Sequence, residues 1–447
     1  MGQKVVIIGN GISGVTTARY LRKTDSEAEI LIISSETKHF FSRTALMYIY
    51  MGHMKYENTK PYEDWFWTKN RFDLLQDRVT NIDFENKTLS LEGSSTVSYD
   101  KLVLALGSKP NKFGWPGENL KGVQGLYSYQ DLETLEHNTR DAKTAVIVGG
   151  GLIGVELAEM LRSRDVEVHF LVREKFFWNS VLPNEEAKLI SDHIINDHHV
   201  HIHFESNLER INDNGKGWVK SVVIKETGEE ISCDLVGLTA GVHPNIELLK
   251  NTDLEIDKGI SISPFMETNV KDVYALGDCA QHREVPFQRR PVEQVWYTGR
   301  MMGEALGKTL GGNPTKYQPG PWFNSAKFFD IEYQTYGQVA SKAQENESRF
   351  YWQHPTENLA LHLVFDKNTG AFIGINCFGI RLRHELLDKY LREEKSIDYV
   401  LEHFNDLNFD PEFYKNHFPS IIEKFNKQFG KDIKLKKKSW KRIFQLN

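Results

Sequence analysis

The sequence is poor in cysteine and has no long apolar run. Its 447 residues include three cysteines, Cys233, Cys279 and Cys377, with no CxxC pair and no zinc-type spacing. The spacing excludes a redox disulfide between neighbouring cysteines, and so few thiols fit a reducing compartment. No apolar stretch reaches the roughly 18 residues that a membrane-spanning helix needs. We therefore expect no membrane span.

An excess of basic charge is also lacking. The formal net charge is −6, and the N-terminus does not have the pattern of a signal segment. These features predict a cytoplasmic protein that does not bind nucleic acid. A local inversion of charge lies near the C-terminus, where either a solvated tail or a docking site for an acidic carrier is possible. Its residues are Lys434, Lys436, Lys437, Lys438, Trp440, Lys441, Arg442 and Phe444.

Two glycine-rich fingerprints stand out in what the chain does contain. Each follows an apolar run of strand length and opens a helical pattern, the context that makes such glycines specific for a dinucleotide. The first glycine permits a tight turn, the second lets a pyrophosphate approach the backbone, and the third lets helix pack on strand. Two such sites predict two dinucleotides in one chain. The glycines are Gly9, Gly11 and Gly14 in KVVIIGNGISG, and Gly149, Gly151 and Gly154 in TAVIVGGGLIGVE.

The order of strand and helix patterns predicts an α/β fold. The runs VVIIG, EILIISSE, DKLVLALGSKP and TNVKDVYALGDCA are typical of one parallel sheet. The second fingerprint lies between them. We predict two Rossmann-like nucleotide-binding domains, the second inserted into a split first one, followed by an α+β domain. The predicted boundaries are 1–115 with 245–312, then 116–244, then 313–447.

Several motifs together resemble one known family. IGNGISG, DKLVLALGSKP, VGGGLIGVE, LTAGVHPN and TNVKDVYALGDCA resemble the FAD-dependent pyridine nucleotide-disulfide oxidoreductase superfamily, in particular its rubredoxin reductase and NADH oxidase branch. The resemblance covers Lys4 to Gly312. It implies FAD at the first fingerprint and NADH or NADPH at the second. It also implies hydride transfer from NAD(P)H to FAD, followed by electron transfer to an external acceptor.

The resemblance also implies roles at the FAD site. Asp278 would accept hydrogen bonds from the ribityl chain, unless it only caps a helix. Glu36 would hold the adenosine ribose, because Ser34 stands where the family has an acid; otherwise Glu36 is a solvated turn residue. Arg43 would neutralise phosphate or cap a helix, and Trp296 would lie near the flavin or pack in the core. The predicted set is Gly9, Gly11, Ser13, Gly14, Glu36, Arg43, Ala105, Gly107, Asp278, Val295 and Trp296.

The second site is expected to bind the nicotinamide cofactor. Glu156 matches a family glutamate near the nicotinamide, or it supplies a helix N-terminal charge. Val172 stands at the usual acid position. Arg173 suits a 2′-phosphate and Glu174 a 2′-hydroxyl, so NADH and NADPH both stay open. The predicted set is Gly149, Gly151, Ile153, Gly154, Glu156, Arg173, Glu174 and Gly241.

The chain departs from the family in its thiol chemistry. Thr44 stands where the oxidase branch has a reactive cysteine, and a hydroxyl forms neither a disulfide nor a sulfenic acid. We expect all three cysteines to be buried and inert. The acceptor would then be a redox carrier protein, a quinone or oxygen. The alternative is a flavoprotein similar to apoptosis-inducing factor, which acts mainly through redox-dependent partner binding.

Two further segments carry expectations. DHHVHIHF contains His198, His199, His201 and His203, but no nearby carboxylate or cysteine is expected to complete a site, so we predict no bound metal. PWFNSAKFFDIEYQTYG is rich in aromatic residues, which favours a homodimer interface; the same residues would otherwise cover the flavin in a monomer.

Overall fold

A computed structural model describes residues 2–409, 412–413 and 415–436. The chain forms two compact units. The first unit comprises Met1–Leu171 and Asn207–Pro319, and the second comprises Val172–Ser206 and Gly320–Asn447. No helix in the described ranges is long and apolar enough to cross a bilayer.

Strands make up much of both units. In chain order they are β1 Lys4–Ile8, β2 Glu29–Ser34, β3 Phe72–Gln76, β4 Val79–Asp83, β5 Thr88–Leu91, β6 Thr96–Ser98, β7 Lys101–Leu104, β8 Ser108–Pro110, β9 Val123–Gln124, β10 Thr144–Val148, β11 Glu167–Val172, β12 His201–Phe204, β13 Leu208–Asp213, β14 Val219–Ile224, β15 Glu230–Ser232, β16 Leu235–Leu238, β17 Val242–Pro244, β18 Ile260–Ile262, β19 Val273–Ala275, β20 Ala280–His282, β21 Phe323–Phe328, β22 Ile331–Gly337, β23 Glu347–Gln353, β24 Ala360–Asp366 and β25 Phe372–Phe378.

Helices connect these strands. The α-helices are α1 Ile12–Thr24, α2 Leu46–Tyr50, α3 Asp64–Lys69, α4 Tyr129–Asn138, α5 Leu152–Arg162, α6 Asn184–Asn196, α7 Trp296–Leu310, α8 His384–Arg392, α9 Ile397–Glu402, α10 Phe404–Leu407 and α11 Phe418–Phe429. Short 3₁₀ helices span Arg43–Ala45, Tyr56–Thr59, Glu247–Leu249, Gly277–Cys279 and Pro286–Gln288.

The first parallel sheet has the strand order β19-β7-β1-β2-β3. Its central strand β1 pairs with β2 and β7, and Val5, Val6 and Ile7 are completely buried. A strand that is buried on both faces has no solvent-exposed face. Its residues therefore do not alternate between apolar and polar, which is why β1 is an unbroken apolar run. The last strand, β19, is far along the chain from the other four. This sheet is therefore split in sequence, as predicted.

The second parallel sheet lies in the interruption of the first. In the first unit its strands run in the order β11-β10-β16-β9, and β10 pairs in parallel with β11 and β16. Both sheets follow the βαβ logic, in which a helix after the first strand leads to a parallel neighbour. The α/β fold with an inserted nucleotide-binding domain is confirmed, whereas the three predicted domain boundaries stay a prediction.

A seam of glycines brings α1 and α7 close together. A Cβ added at Gly303 would lie 2.7 Å from the Ser13 carbonyl oxygen and 2.9 Å from Thr16 Cβ. A Cβ at Gly307 would lie 2.7 Å from the Thr17 carbonyl oxygen. Side chains at these positions would push the helices apart, so the seam holds Ser13 and the N-terminus of α1 in place.

The change Gly303→Ala is expected to lower the free energy of unfolding by about 1–3 kcal/mol. Overpacking against backbone in α1 outweighs the gain of about 1 kcal/mol that alanine brings to a helix interior. Chemical denaturation measures the effect. The exposed change Arg300→Ala on the same helix is the control and should stay within about 0.5 kcal/mol of wild type. An equally stable Gly303→Ala variant would contradict this packing.

The second unit contains an antiparallel sheet in the order β21-β22-β25-β24-β23. Its core combines residues of the sheet with residues of α8, α9 and α11, including Phe350, Leu387 and Phe425. The aromatic segment predicted as an interface is largely internal, because Phe328 and Tyr333 are buried within this unit and contact Trp178. Those residues fill a core instead of forming an exposed apolar surface. The aromatic composition of this segment therefore no longer supports a homodimer, which stays a prediction.

Candidate functional site

A large cleft opens in the first unit, at the carboxyl ends of β1, β2 and β7. Its volume is about 1680 Å³, larger than the roughly 300–1,000 Å³ of a typical small-molecule pocket. Ligands of open α/β sheets bind at this edge of the strands. Eleven predicted cofactor-binding residues line the cleft: Gly9, Gly11, Ser13, Glu36, Arg43, Ala105, Gly107, Ile153, Glu156, Asp278 and Trp296.

The three glycines of the first fingerprint occupy positions that require glycine for different physical reasons. Gly9 has φ 113°, and a Cβ there would overlap the Ala105 carbonyl group. A Cβ at Gly14 would overlap the Gly9 carbonyl oxygen. Gly11 has φ −70° and ψ −177°, and a Cβ there would meet no protein atom within 4 Å. Protein packing therefore explains Gly9 and Gly14, whereas the space beside Gly11 fits a ligand that approaches the backbone.

The second fingerprint repeats this arrangement. Gly149 has φ 115°, and a Cβ there would lie 2.8 Å from the Ala240 Cα. A Cβ at Gly154 would lie 2.6 Å from the Gly149 carbonyl oxygen, but one at Gly151 would meet nothing within 4 Å. The same two roles recur, two glycines for packing and one facing open space. This repetition fits a second dinucleotide.

The three helices that begin beside predicted binding residues lack a side-chain cap, as do most α-helices in the described part of the chain. Neither Gly11 before α1, Gly151 before α5 nor Val295 before α7 makes a side-chain hydrogen bond to the helix, and none of the three first turns contains an acid. Uncapped backbone N–H groups and the positive end of the helix dipole together form a site for anions. In contrast, α4 is capped by Ser128. Helix α7 begins at Trp296, and Glu293, three residues before it, is buried in an ion pair with Arg289.

Asp278 lies in the cleft within a group of polar side chains. Ser108 Oγ donates to the Asp278 carboxylate at 3.2 Å and accepts from Gln294 Nε2 at 2.7 Å. Burial raises the pKa of Asp278 to about 6, against the opposing effects of Ser108, Arg43 and Tyr127. A partly buried carboxylate suits the hydroxyl groups of a ligand, whose hydrogen bonds would replace those of water.

Glu36 and Arg43 form a paired unit that the sequence did not predict. Arg43 Nη1 and Nη2 lie 2.9 and 2.6 Å from the two Glu36 carboxylate oxygens, and Nη1 also donates to the Tyr127 carbonyl oxygen at 2.6 Å. The Tyr129 N–H donates to Glu36 at 2.8 Å. These bonds leave two N–H groups of Arg43 and one lone-pair position of Glu36. Both residues line the cleft, and their roles toward ribose and phosphate stay predictions.

The serine at the family's acid position has a partner of its own. Ser34 Oγ donates to Asn10 Oδ1 at 3.0 Å, and Asn10 Nδ2 donates to the Thr37 carbonyl oxygen at 2.7 Å. This chain of hydrogen bonds connects the first fingerprint to the end of β2. Asn10, Ser108, Tyr127 and Gln294 were missed by sequence reasoning; the polar residue between Gly9 and Gly11 is the only sequence signal that pointed to any of them.

The remaining predicted residues do not line the cleft. Gly14, Gly149 and Gly154 are packing glycines, Gly151 faces open space, Gly241 has φ 86°, and Val295 precedes α7. Arg173 and Glu174 lie in the second unit, where Arg173 Nε is 3.1 Å from Glu174 Oε1. Because the two side chains pair with each other, the preference of Arg173 for a 2′-phosphate and that of Glu174 for a 2′-hydroxyl cannot be judged separately.

The three cysteines are buried and not in disulfides. Burial raises the pKa of Cys233 and of Cys279 to about 12, and it raises the pKa of Cys377 as well. A thiol is nucleophilic only as thiolate, so these groups are unreactive near neutral pH. Thr44 lines the cleft where a family cysteine would stand. The predicted burial of the cysteines is confirmed, and their inertness stays a prediction.

Two other predictions need comment. The reasoning that no carboxylate completes a site at the histidine cluster is wrong, because the fold brings Asp330 to within 3.0 Å of His198. That reasoning considered only neighbours in sequence.

In the basic tail, Lys434 and Lys436 pair with Asp432 and Glu402. Lys437, Lys438, Trp440, Lys441, Arg442 and Phe444 lie outside the described residues.

Comparison with known proteins identifies the family of the chain. Residues 3–303 match the family model described as pyridine nucleotide-disulphide oxidoreductase. The chain is 25% identical over 397 residues to the assimilatory nitrate reductase electron transfer subunit of Bacillus subtilis, covering 88% of this chain and 49% of that protein. It is 26% identical over 321 residues to the rubredoxin-NAD(+) reductase of Pseudomonas putida, covering 71% and 83% of the two chains.

The fold has solved counterparts as well. A NAD-dependent persulfide reductase from A. fulgidus superposes with a TM-score of 0.84 at 24% identity, covering 96% of this chain and 84% of that one. The chain spans about half the length of the nitrate reductase subunit. The family match covers most of the chain, and both fingerprints lie within it. The chain therefore belongs to the pyridine nucleotide-disulphide oxidoreductase family.

Proposed function

We propose that this protein couples the oxidation of NAD(P)H to the reduction of an external redox carrier, without a protein thiol. The observation that carries the proposal is the cleft itself, where residues of both fingerprint regions meet and none of the lining residues is a cysteine. When bound, FAD supplies the exchange between a two-electron donor and a one-electron acceptor. The protein supplies binding, orientation and charge.

Each part of the cleft has a proposed task. The uncapped start of α1 beside Gly11 holds the FAD pyrophosphate, and Arg43 adds charge next to it. Asp278 and Ser108 receive sugar hydroxyl groups. The start of α7 at Trp296 adds a positive dipole that stabilises negative charge developing nearby. These tasks rest on the fit of the residues and on the family.

The second fingerprint binds the electron donor, NAD(P)H, in this proposal. The uncapped start of α5 and the open space beside Gly151 hold the NAD(P)H pyrophosphate. Ile153 and Glu156 lie within the first turn and a half of α5 and line the cleft, so they are placed to position the nicotinamide. NADH and NADPH both remain candidates, since Arg173 and Glu174 neutralise each other.

Thiol reactivity tests the absence of a protein disulfide relay. With NAD(P)H, rubredoxin and ferredoxin as probes, we expect steady turnover and no labelling of native protein by a thiol reagent in either redox state. Denaturation should then expose three reactive thiols. Burial of all three cysteines is the physical reason. Unfolded protein labelled at the same reagent concentration is the control.

Two outcomes would contradict the proposal. Thiols that become reactive only after NAD(P)H is added would show a protein disulfide, and flavin that neither nicotinamide reduces would remove the enzyme reading. Slow turnover with a long-lived complex between nicotinamide and reduced flavin would favour the alternative, a protein that acts through redox-dependent partner binding.

For the acceptor, we propose a small acidic iron–sulfur carrier. The support is the likeness of the chain to a rubredoxin-NAD(+) reductase and to the electron transfer subunit of an assimilatory nitrate reductase. A quinone is the other candidate. Docking on the basic tail, a homodimer and a cytoplasmic location stay predictions of the sequence.

A further inference from the structure

A triangle of metal-ligating atoms lies in the second unit. His193 Nε2 is 2.6 Å from Asp330 Oδ1, His198 Nε2 is 3.0 Å from the same oxygen, and the two ring nitrogens are 3.0 Å apart. In a tetrahedral zinc site, bonds of about 2.0–2.1 Å place ligand atoms roughly 3.3 Å from one another. Opening the triangle by a few tenths of an ångström would make room for an ion at its centre.

Polar partners fix the orientation of the His193 ring on the side away from the triangle. Its Nδ1 is 2.7 Å from Asp197 Oδ2, and Asn358 Nδ2 donates to the same carboxylate oxygen at 3.0 Å. If Nδ1 donates its proton to Asp197, the neutral ring turns the Nε2 lone pair toward the Asp330 carboxylate and His198. A carboxylate that fixes the far nitrogen of a histidine is the usual support of a metal-bound imidazole.

The elements around the triangle hold these atoms firmly. His193 is on α6 and only 3% exposed. The His198 ring stacks on Phe329, with ring centroids 4.0 Å apart. Phe329 has φ 55° and directly precedes Asp330 in the turn between β21 and β22, and His199, next to His198, has φ 54°. Left-handed backbone is unfavourable for a bulky residue such as Phe329, whereas histidine tolerates it.

We propose that His193, His198 and Asp330 bind one Zn²⁺ or a similar first-row divalent cation. Two imidazoles and one carboxylate are the donors that zinc prefers, and calcium or magnesium would need more oxygen ligands. The Asp330 side chain is 74% exposed, so water has access to the fourth position. Three protein ligands with an open fourth position describe an exchangeable site, not a closed structural one. Asp197 is a positioning residue that orients His193.

Zinc titration of the full chain, prepared without a polyhistidine tag and treated with a chelator, tests the site. Calorimetry with Zn²⁺ alone should show one ion per chain, and Co²⁺ should produce the visible absorption bands of tetrahedral coordination. Asp330→Asn and His198→Asn should each weaken Zn²⁺ binding by more than about 100-fold, because each removes a ligand. Asp197→Asn should weaken it by about 10–100-fold, the usual effect of losing the group that orients a ligand.

The exposed neighbour His199 supplies the matched control. His199→Asn keeps a residue that tolerates left-handed backbone, and its Zn²⁺ affinity should equal that of wild type. Asp330 and His198 are not core residues, so their variants should fold, and an unchanged circular dichroism spectrum verifies this. Absence of Zn²⁺ and Co²⁺ uptake by the wild type would overturn the proposal. So would equal affinities of wild type and Asp330→Asn.

Discussion

The change Gly151→Val is expected to abolish measurable reduction of the protein by NAD(P)H while leaving it folded and yellow. Gly151 has φ −110° and ψ −177°, extended backbone that valine readily adopts, and a Cβ there meets no protein atom within 4 Å. The added side chain therefore costs the protein little by itself. It fills the space where the pyrophosphate would approach α5, and a displaced donor loses about 100-fold or more in rate.

Reduction kinetics under anaerobic conditions measure this effect, and thermal unfolding measures the fold. The control Gly149→Ala should show the opposite balance, because Gly149 has φ 115° and its Cβ would lie 2.8 Å from Ala240 Cα. That variant should lose stability even without nucleotide. If Gly151→Val protein is reduced at the wild-type rate, the second fingerprint does not bind the donor NAD(P)H.

The change Asp278→Asn is expected to stabilise the flavin-free protein above about pH 6 and to weaken FAD binding. A carboxyl of an unfolded chain ionises near pH 3.9, whereas burial raises the pKa of Asp278 to about 6 in the folded state. Between these values the folded state binds more protons, so the free energy of unfolding falls as pH rises, and the loss is complete above about pH 6. Two pKa units correspond to a penalty on the order of 3 kcal/mol.

Denaturant unfolding of wild type and variant at about pH 8 and about pH 4 measures this penalty. The variant should be the more stable protein at the higher pH. The difference should shrink to about 0.5 kcal/mol at the lower pH, where the folded carboxyl is neutral and the unfolded one is about half ionised. Asparagine lacks the charge that strengthens hydrogen bonds from FAD hydroxyl groups, so the dissociation constant of FAD should rise about 10-fold or more. A stability difference that does not change with pH would contradict the assigned titration.

The parallel strands and both fingerprints were predictable because they depend on local rules. Val5 to Ile8 form an unbroken apolar run because β1 is covered on both faces, and the glycines that follow it signal a turn into a helix. Asp278 was predictable from a spaced family motif. The pair Glu36–Arg43 was not, since each residue was assigned separately to a ligand and nothing in the sequence states their mutual distance of 2.6 Å.

Side chains brought together from distant segments escaped prediction for the same reason. Ser108 and Gln294 are 186 residues apart, and His198 and Asp330 are 132 residues apart. The aromatic segment that includes Phe328 and Tyr333 had the composition of an interface, yet it is a core. Composition indicates that apolar surface must be buried, but it does not indicate which part of this chain or which partner buries it.

The sequence by itself determined the α/β class, the two nucleotide-binding motifs and the scarcity of thiols, because backbone conformation and strand burial depend on residues within a few positions of one another. Only the tertiary structure decided which of these residues share one cleft, that the cysteines are buried, and that two histidines and an aspartate meet in the second unit. Distance, burial and the resulting pKa shifts are properties of segments packed together, and no local pattern contains them.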